Sequence, residues 1–425
     1  TRMKESGIDW IGQIPEEWEV IKVKFFTYMK GRIGWQGLKA DEFIDEGPYL
    51  VTGTDFKNGR VNWDTAYHIS QKRYEQAPEI QLKQGDLLVT KDGTVGKLAL
   101  IDELPDSASL NSHLLVLRPL FNRYDNHFLY YVLSSLEFKN YFQKVSIGST
   151  MDSLSQEKMG EFIFALPNIN EQNSISRYLD KKTAQLDKAK AILEEQIQKL
   201  KDYRASLIYE TVTKGLDKTV PMKDSGIDWI GQVPEGWEIT KHKYIMTKVK
   251  EICAHYEGQD ILSLTRQGVV VRDIESGKGK MPASFDGYQF LEKGDLLFCL
   301  FDIDVTPRCV GVVENNGLTS SAYSRFRLDD KISVYYYYYL FLSMDEDKVL
   351  LHLSKNLRHS LTEDDFGIIE TVLPSYEEQL RIADYLSKVT KSIDEIVQLK
   401  QKQIGNINKQ RQTLIYDYVT GKRRV

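Results

Sequence analysis

The sequence predicts a mixed α/β (α+β) protein: two similar globular modules and two long helices, with an approximate two-fold relation between its halves. Three observations predict it. Residues 3–24 and 222–243 match at 16 of 22 positions, including Trp10/Trp229 and Trp18/Trp237. Gly85-Asp86-Leu87-Leu88 returns as Gly294-Asp295-Leu296-Leu297, and Leu166-Pro167 with Glu171-Gln172 returns as Leu373-Pro374 with Glu378-Gln379. From Glu171 to about residue 213 there is no Gly or Pro, and Leu179, Leu186, Leu193, Leu200 and Leu207 recur every seven residues. An internal repeat sets the architecture before any single element does, and a sustained heptad of leucines marks a long helix with one apolar seam.

The repeat divides the 425 residues into modules at 3–166 and 222–373, each followed by a helical segment, 167–218 and 374–421. The shared opening carries its tryptophans at equivalent places in both halves, which favours a structural anchor over a binding role. Beyond it, residues 25–84 and 244–293 diverge. Common ends with different middles suggest one scaffold carrying two differently specialised surfaces. Short apolar runs such as Leu87-Leu88-Val89-Thr90, Leu114–Leu117, Leu296–Cys299 and Cys309–Val313 read as strands, separated by turn signals at Lys57-Asn58-Gly59, Lys91-Asp92-Gly93 and Asn315-Asn316-Gly317. Helices are expected over Phe128–Phe142 and Tyr335–Leu351. The run Tyr335–Tyr339 invites a base-stacking reading, but consecutive residues point all round a helix, so core packing is the better expectation.

Each long helix opens after a Leu-Pro with acids in its first turn, where they suit the helix dipole. In the second helix Leu386, Val389, Ile393, Ile396, Ile407 and Leu414 continue the seam, and Lys400 interrupts it. A helix with one apolar stripe must bury it. The two stripes can bury each other as an antiparallel coiled coil. Packing of each helix on its own module, or pairing with another chain, remains open on the residues alone.

Composition excludes several classes. With 41% hydrophobic and 28% charged residues the chain is not largely disordered. No apolar run reaches the roughly 18–20 residues needed to span a bilayer, and no apolar segment follows the first residues, so no signal peptide is expected. Cys253, Cys299 and Cys309 form no CxxC pair; reduced thiols in the cytoplasm are expected, with no disulfide framework and no metal site. No Walker, GxSxG, HExxH, EF-hand or GxGxxG pattern occurs, and the Asn/Asp-Pro-Pro-aromatic signature of adenine methyltransferases is missing. A non-catalytic binding protein is expected. The formal net charge is −5. It is patterned as +19/−23 over residues 1–170, +10/−8 over 171–218, +17/−24 over 219–376 and +10/−6 over 377–425, two acidic blocks alternating with two mildly basic ones.

The SGIDWIGQ(I/V)PExWE openings, the Gly-Asp-Leu-Leu strands, and the Leu-Pro-Asn-Ile-Asn-Glu-Gln and Leu-Pro-Ser-Tyr-Glu-Glu-Gln helix starts resemble the specificity subunit of Type I restriction-modification enzymes, over essentially the whole chain. Lys400 in the second seam and the overall acidity depart from that pattern. The resemblance implies two target recognition domains joined by an antiparallel helix pair, each reading half of a split double-stranded DNA target, with the helices as spacer. It implies as partners two modification subunits, which methylate adenine at N6, and restriction subunits, which translocate and cleave DNA. S-adenosylmethionine, ATP and magnesium are then expected in those partners and no cofactor in this chain. A coiled-coil scaffold tethering two protein-binding domains, with no nucleic-acid role, is the competing reading, and it accommodates the acidity more easily.

Base reading needs donors and acceptors in the major groove, with lysine and arginine on phosphates. Candidates in the first module are Lys57, Arg60, Lys72, Arg73, Lys91, Thr94, Lys97, Asn111 and His113, with Ser149 and Thr150 further on. In the second they are Arg266, Arg272, Lys278, Lys280, Arg308, Ser321, Tyr323 and Arg325, followed by Asn356, Arg358 and His359.

Overall fold

A computed structural model describes residues 2–32, 38–146, 153–275, 282–354 and 359–425. The chain forms two compact units, Thr1–Leu193 with Lys402–Val425, and Glu194–Gln401. Each unit contains one module and half of each long helix.

The repeated opening folds identically in both units. Met3–Glu5 pairs antiparallel with Gln13–Pro15, and Met222–Asp224 with Gln232–Pro234, in matching register. Glu19–Lys22 then pairs with Ile163–Leu166, and Glu238–Lys241 with Glu370–Leu373, joining the start of each module to its end. Trp18 and Trp237 are buried, and their indole N–H groups donate to Glu171 (3.1 Å) and Glu378 (3.0 Å). These two tryptophans are therefore anchors between a module and the first turn of a long helix.

The rest of the Glu-Gln motif also has a mechanical reason. Gln172 and Gln379 are buried side chains whose amide groups donate to the carbonyls of Pro167 and Pro374 (2.8 and 2.9 Å). Their oxygens accept from the backbone N–H of Asp125 and Ser333, the residues that cap the helices Asn126–Ser134 and Val334–Glu346. One side chain thus satisfies polar backbone groups at two helix starts, which burial would otherwise make costly.

Both modules share a core sheet. In unit 1 the order is Thr27–Lys30, Leu114–Pro119, Leu87–Thr90, Leu98–Leu100; in unit 2 it is Met246–Val249, Ser324–Leu328, Leu296–Phe298, Val310–Val312, all antiparallel neighbours. Unit 1 extends this sheet with Arg60–Val61 and Phe56–Lys57, and adds a second sheet of Ala108–Leu110, Phe43–Val51 and Tyr67–Ile69. The Gly-Asp-Leu-Leu motif opens a central strand, and its aspartate is buried. Asp86 accepts from Nε and Nη2 of Arg118, each at 2.7 Å, and Asp295 takes Arg325 at 2.5 Å and Arg327 at 3.0 Å.

The long helices span Ile169–Lys214 and Tyr376–Val419. Within each unit their halves run antiparallel: numbers rise on one as they fall on the other. In unit 1 Tyr178 meets Tyr418 (ring centroids 4.7 Å) and Asp187 meets Arg411 (3.5 Å). In unit 2 Gln196 meets Lys400 (2.7 Å) and Arg204 meets Asp394 (3.2 Å). Leu179, Leu386 and Ile393 are buried, and Leu186, Leu193, Leu200, Leu207, Val389, Ile407 and Leu414 are half-buried. Ile396 departs from the expected seam. It is 43% exposed, and Val397 turns inward in its place. A step of four from Ile393 stays on the inner face where a step of three leaves it, because 3.6 residues make a turn. Lys400 sits half-buried in the seam through its bond to Gln196.

The repeated Leu-Ile-Tyr closes each helix onto a module. Ile208 and Ile415 are buried, and Tyr209 and Tyr416 donate to the carbonyls of Trp229 and Trp10 (both 3.1 Å). The tyrosine run is a core element: Tyr336 and Tyr337 are fully buried, their hydroxyls donating to the carbonyls of Val212 and Val372 (2.8 Å each). Tyr335 is 47% exposed, and Tyr338 is half-buried and lines a surface groove.

His242 occupies the place that Val23 fills in unit 1. It is completely buried; Nδ1–H donates to the Phe366 carbonyl (2.9 Å), and Nε2 meets no partner among the described residues. Burial depresses its pKa to about 3, against the opposing effect of that hydrogen bond. A depressed histidine keeps its contribution above the unfolded pKa near 6.5 and loses it as pH falls toward the folded value. Unit 2 is therefore expected to lose about 2–3 kcal/mol between pH 6.5 and 4.5 from this group alone, at 1.36 kcal/mol per unit. His242→Val should flatten that slope in urea melts; an unchanged slope would assign the acid sensitivity elsewhere.

Candidate nucleic-acid interface

The expected base-reading residues are sorted by which end of the core sheet they occupy. Strand Leu87–Thr90 leads into a loop, residues 91–97, that returns as Leu98–Leu100. At the same end Leu110 passes into a turn, residues 111–113, that leads to Leu114. The two turns are tied together: Lys91 N–H donates to the His113 carbonyl (2.8 Å), and His113 N–H to the Asn111 side chain (3.0 Å). The chain returns to this end at Leu154, whose N–H donates to the Lys91 carbonyl (2.8 Å). Lys91, Thr94, Lys97, Asn111 and His113 are thus gathered at one place. Thr94, Lys97 and His113 are exposed, and the His113 imidazole lies 3.5 Å from Asp92. Behind them Arg32 is buried, its guanidinium donating to the Leu110 carbonyl and the Ser109 hydroxyl; burial lowers its pKa to about 10.

Unit 2 repeats this construction with different side chains. Strand Leu296–Phe298 leads to a longer loop, residues 299–309, closed by Cys299 N–H on the Cys309 carbonyl (2.8 Å), as Thr90 N–H meets the Lys97 carbonyl in unit 1 (3.0 Å). The chain returns at Leu361, whose N–H donates to the Leu300 carbonyl (2.8 Å), and the His359 carbonyl accepts from Ile303 (3.1 Å). Arg308, Ser321, Tyr323 and His359 lie around this end. Arg266, at the tip of the Leu262–Val271 hairpin, joins Arg308 in a groove of about 600 Å³ that Lys201 and Arg204 of the long helix also line. Arg204 is paired there with Asp394 (3.2 Å) and Glu346 (3.5 Å), Arg308 is half-buried and donates to the Tyr338 hydroxyl (3.4 Å), and Lys201 and Arg266 are exposed. Arg272 lies near Tyr323, whose phenol burial pushes up in pKa and Arg272 pulls down.

One expectation is corrected, and other candidates lie away from this end of the sheet. Arg325 has no exposed side-chain surface. It points into the unit, held by Asp295, Glu292 (3.0 Å) and the Phe290 carbonyl (2.7 Å), because its strand is interior to the sheet and both of its faces are covered over residues 324–326. Lys57 and Arg60 belong to the opposite end of the sheet: Arg60 pairs beside Leu100 and forms an ion pair with Asp102. Lys72 and Arg73 lie on the short helix Gln71–Glu75, with Arg73 held by Glu42 at 2.8 Å. Ser149, Thr150, Lys278, Lys280, Asn356 and Arg358 lie outside the described residues. Phe301, 36% exposed in the longer loop with its ring 5.8 Å from Tyr323, was not anticipated. Its signal was the loop-length difference between the halves, which only the aligned strands reveal. Among the described residues no group of three His, Cys, Asp or Glu side chains could hold a metal, and no helix is long and apolar enough to cross a membrane.

Residues 15–201 match the family described as Type I restriction modification DNA specificity domain. The chain is 24% identical to a putative type I restriction enzyme MjaX specificity subunit of Methanocaldococcus jannaschii, over 98% of this chain and 96% of that protein. It is 25% identical to the type I restriction enzyme MjaVIII specificity subunit of the same organism, over 97% and 94%. Among solved structures it superposes with TM-score 0.71 and 14% identity on a chain from a study of complex assembly and conformational transition in the type I R-M system, covering 96% of this chain and 99% of that one. With the HsdS subunit of Thermoanaerobacter tengcongensis the TM-score is 0.51 at 13% identity, covering 96% and 98%. Residues 15–201 thus match a Type I restriction modification DNA specificity domain, and the relatives that match nearly the whole chain are named as specificity subunits of type I restriction enzymes.

Proposed function

We propose that the two modules, residues 3–166 and 222–373, each read one half of a bipartite DNA target, and that the helices 167–218 and 374–421 fix the distance between the halves and dock two modification subunits. The observation that carries this reading is the three-loop end of the core sheet. Two of its backbone bonds, those closing the first loop and tying in the returning chain, recur in both units, while its side chains differ: Thr94, Asn111 and His113 against Arg308, Ser321 and Tyr323. A common frame with different donors suits two half-sites of different sequence. Lysine and arginine around each loop end supply phosphate contacts that set register. The complex is proposed to act in the cytoplasm with restriction subunits as further partners, and S-adenosylmethionine, ATP and magnesium are proposed to belong to the partner subunits.

A substitution at one loop end should then disturb one half-site. The pair Lys91→Ala and His113→Ala is expected to weaken discrimination in one tract by roughly 1–3 kcal/mol per lost base contact and leave the other tract intact. Sequencing of methylated adenines from cells expressing the assembled complex reads this directly. Relaxation of both tracts together would count against one module per half-site.

A further inference from the structure

Each unit holds the same small acidic corner, built from residues identical in the two halves: Pro15/Pro234, Glu16/Glu235, Trp18/Trp237 and Glu171/Glu378. In both, the indole N–H of the tryptophan fixes one oxygen of the helix-start glutamate. In unit 1 the corner has an occupant from the chain itself. The guanidinium of Arg424 reaches Glu171 with Nε on Oε1 (3.0 Å) and Nη2 on Oε2 (3.3 Å), and also meets Glu17. Lys422 donates beside it to the Gln13 carbonyl (2.6 Å).

In unit 2 the segment that follows the long helix, residues 215–221, carries no arginine, and its Lys218 pairs with Glu210 (3.7 Å). Gly215 lies against the corner at φ +72°, where a Cβ would come within 3.0 Å of Glu378 Oε1 and 3.4 Å of the Trp237 ring. Any larger residue there is strained and would crowd the carboxylate. The corner opens on a pocket of about 530 Å³ lined by Pro221, Pro234, Glu235, Trp237, Ser375 and Glu378. Among the described residues no cation forms an ion pair with Glu378. Glycine at position 236 replaces Glu17 of unit 1 and widens the mouth.

We propose that this pocket receives an arginine side chain of the modification subunit bound to unit 2. The guanidinium chemistry follows from Arg424, whose Nε and Nη2 meet the two oxygens of Glu171, the counterpart of Glu378. A planar fork meets both glutamate oxygens, where a lysine would make a single contact. The identity of the partner rests on the function proposed above; the chemistry of the pocket does not. The two corners also differ in availability. One is filled in cis by Arg424, the other is presented to a partner, so two copies of one partner would meet unequal surfaces.

The test uses the full chain labelled at its indole nitrogens and a blocked Gly-Arg-Gly peptide, with Gly-citrulline-Gly as the uncharged control. The Trp237 indole signal is expected to shift saturably with the arginine peptide alone. Glu378→Gln, which keeps an oxygen for the indole and removes the charge, abolishes the shift. Gly236→Glu, restoring the counterpart of Glu17, tightens binding by about threefold, the yield of one exposed ion pair. Arg424→Ala makes the Trp18 indole respond as well. An equal response to citrulline, or a response that survives Glu378→Gln, overturns the pocket. In a second arm, Glu378→Gln should weaken assembly with the modification subunit several-fold. Undiminished assembly overturns the modification subunit as the source of the arginine. Failure of the unaltered chain to bind any modification subunit defeats the functional reading and this choice of partner together, while the peptide result stands or falls separately.

Discussion

Replacing Asp295 by asparagine is expected to destabilise unit 2 by about 3–5 kcal/mol, the usual cost of stripping a buried ion of its counter-charge. The reason is Arg325, a guanidinium with no exposed side-chain surface, whose nearest carboxylate is Asp295 at 2.5 Å. Glu292, at 3.0 Å, is itself half in solvent and compensates poorly. The same substitution at Asp86 should cost markedly less. Its partner Arg118 keeps 24% of its side-chain surface and can turn to water, and Val116 stands where unit 2 has Arg325. Urea melts of the two variants decide the matter, and Arg325→Met should restore part of the loss in the Asp295→Asn background, because replacing a buried pair by apolar bulk is often neutral. Equal losses at Asp86 and Asp295, or no rescue, would show that the Asp295 carboxylate serves the turn at Glu292 (3.0 Å) more than the arginine.

The second large effect concerns the helices. Inserting one heptad after Leu193 and another after Gln401 preserves the seam and the partners Asp187–Arg411 and Arg204–Asp394 within their own units. It lengthens the proposed spacer by about 10 Å, at 1.5 Å per residue, or roughly three base pairs at 3.4 Å each. Methylation of the parent target should fall by at least about a hundredfold, since one module would miss its tract and forfeit several kcal/mol of base contacts. Any target that replaces it should carry a longer gap. Unimpaired methylation of the parent sequence would mean that the helices do not measure distance.

Much of the fold was legible because the sequence states it twice. Trp18 with Trp237, Gln172 with Gln379 and Asp86 with Asp295 were visible as matched residues, and each turns out to hold one strand, helix start or turn in place. The leucine heptads marked both helices, and pairing in opposite directions followed once Asp187 met Arg411 and Gln196 met Lys400. What failed has physical causes. Ile396 obeyed a seven-residue count, but the helix turns in 3.6. Arg325 was placed outside because arginine is rarely buried, and only its two carboxylate partners explain it. Lys57 and Arg60 bordered a turn signal, but a turn does not say which end of a sheet it occupies. Phe301 lies where the halves differ in length, so no repeat pointed to it.

The most direct test of the account is to sequence methylated adenines in cells expressing this chain with its modification subunits. Two short tracts of different sequence, separated by a gap fixed in length and free in sequence, are predicted. One continuous palindromic tract, or two tracts at variable separation, would contradict it.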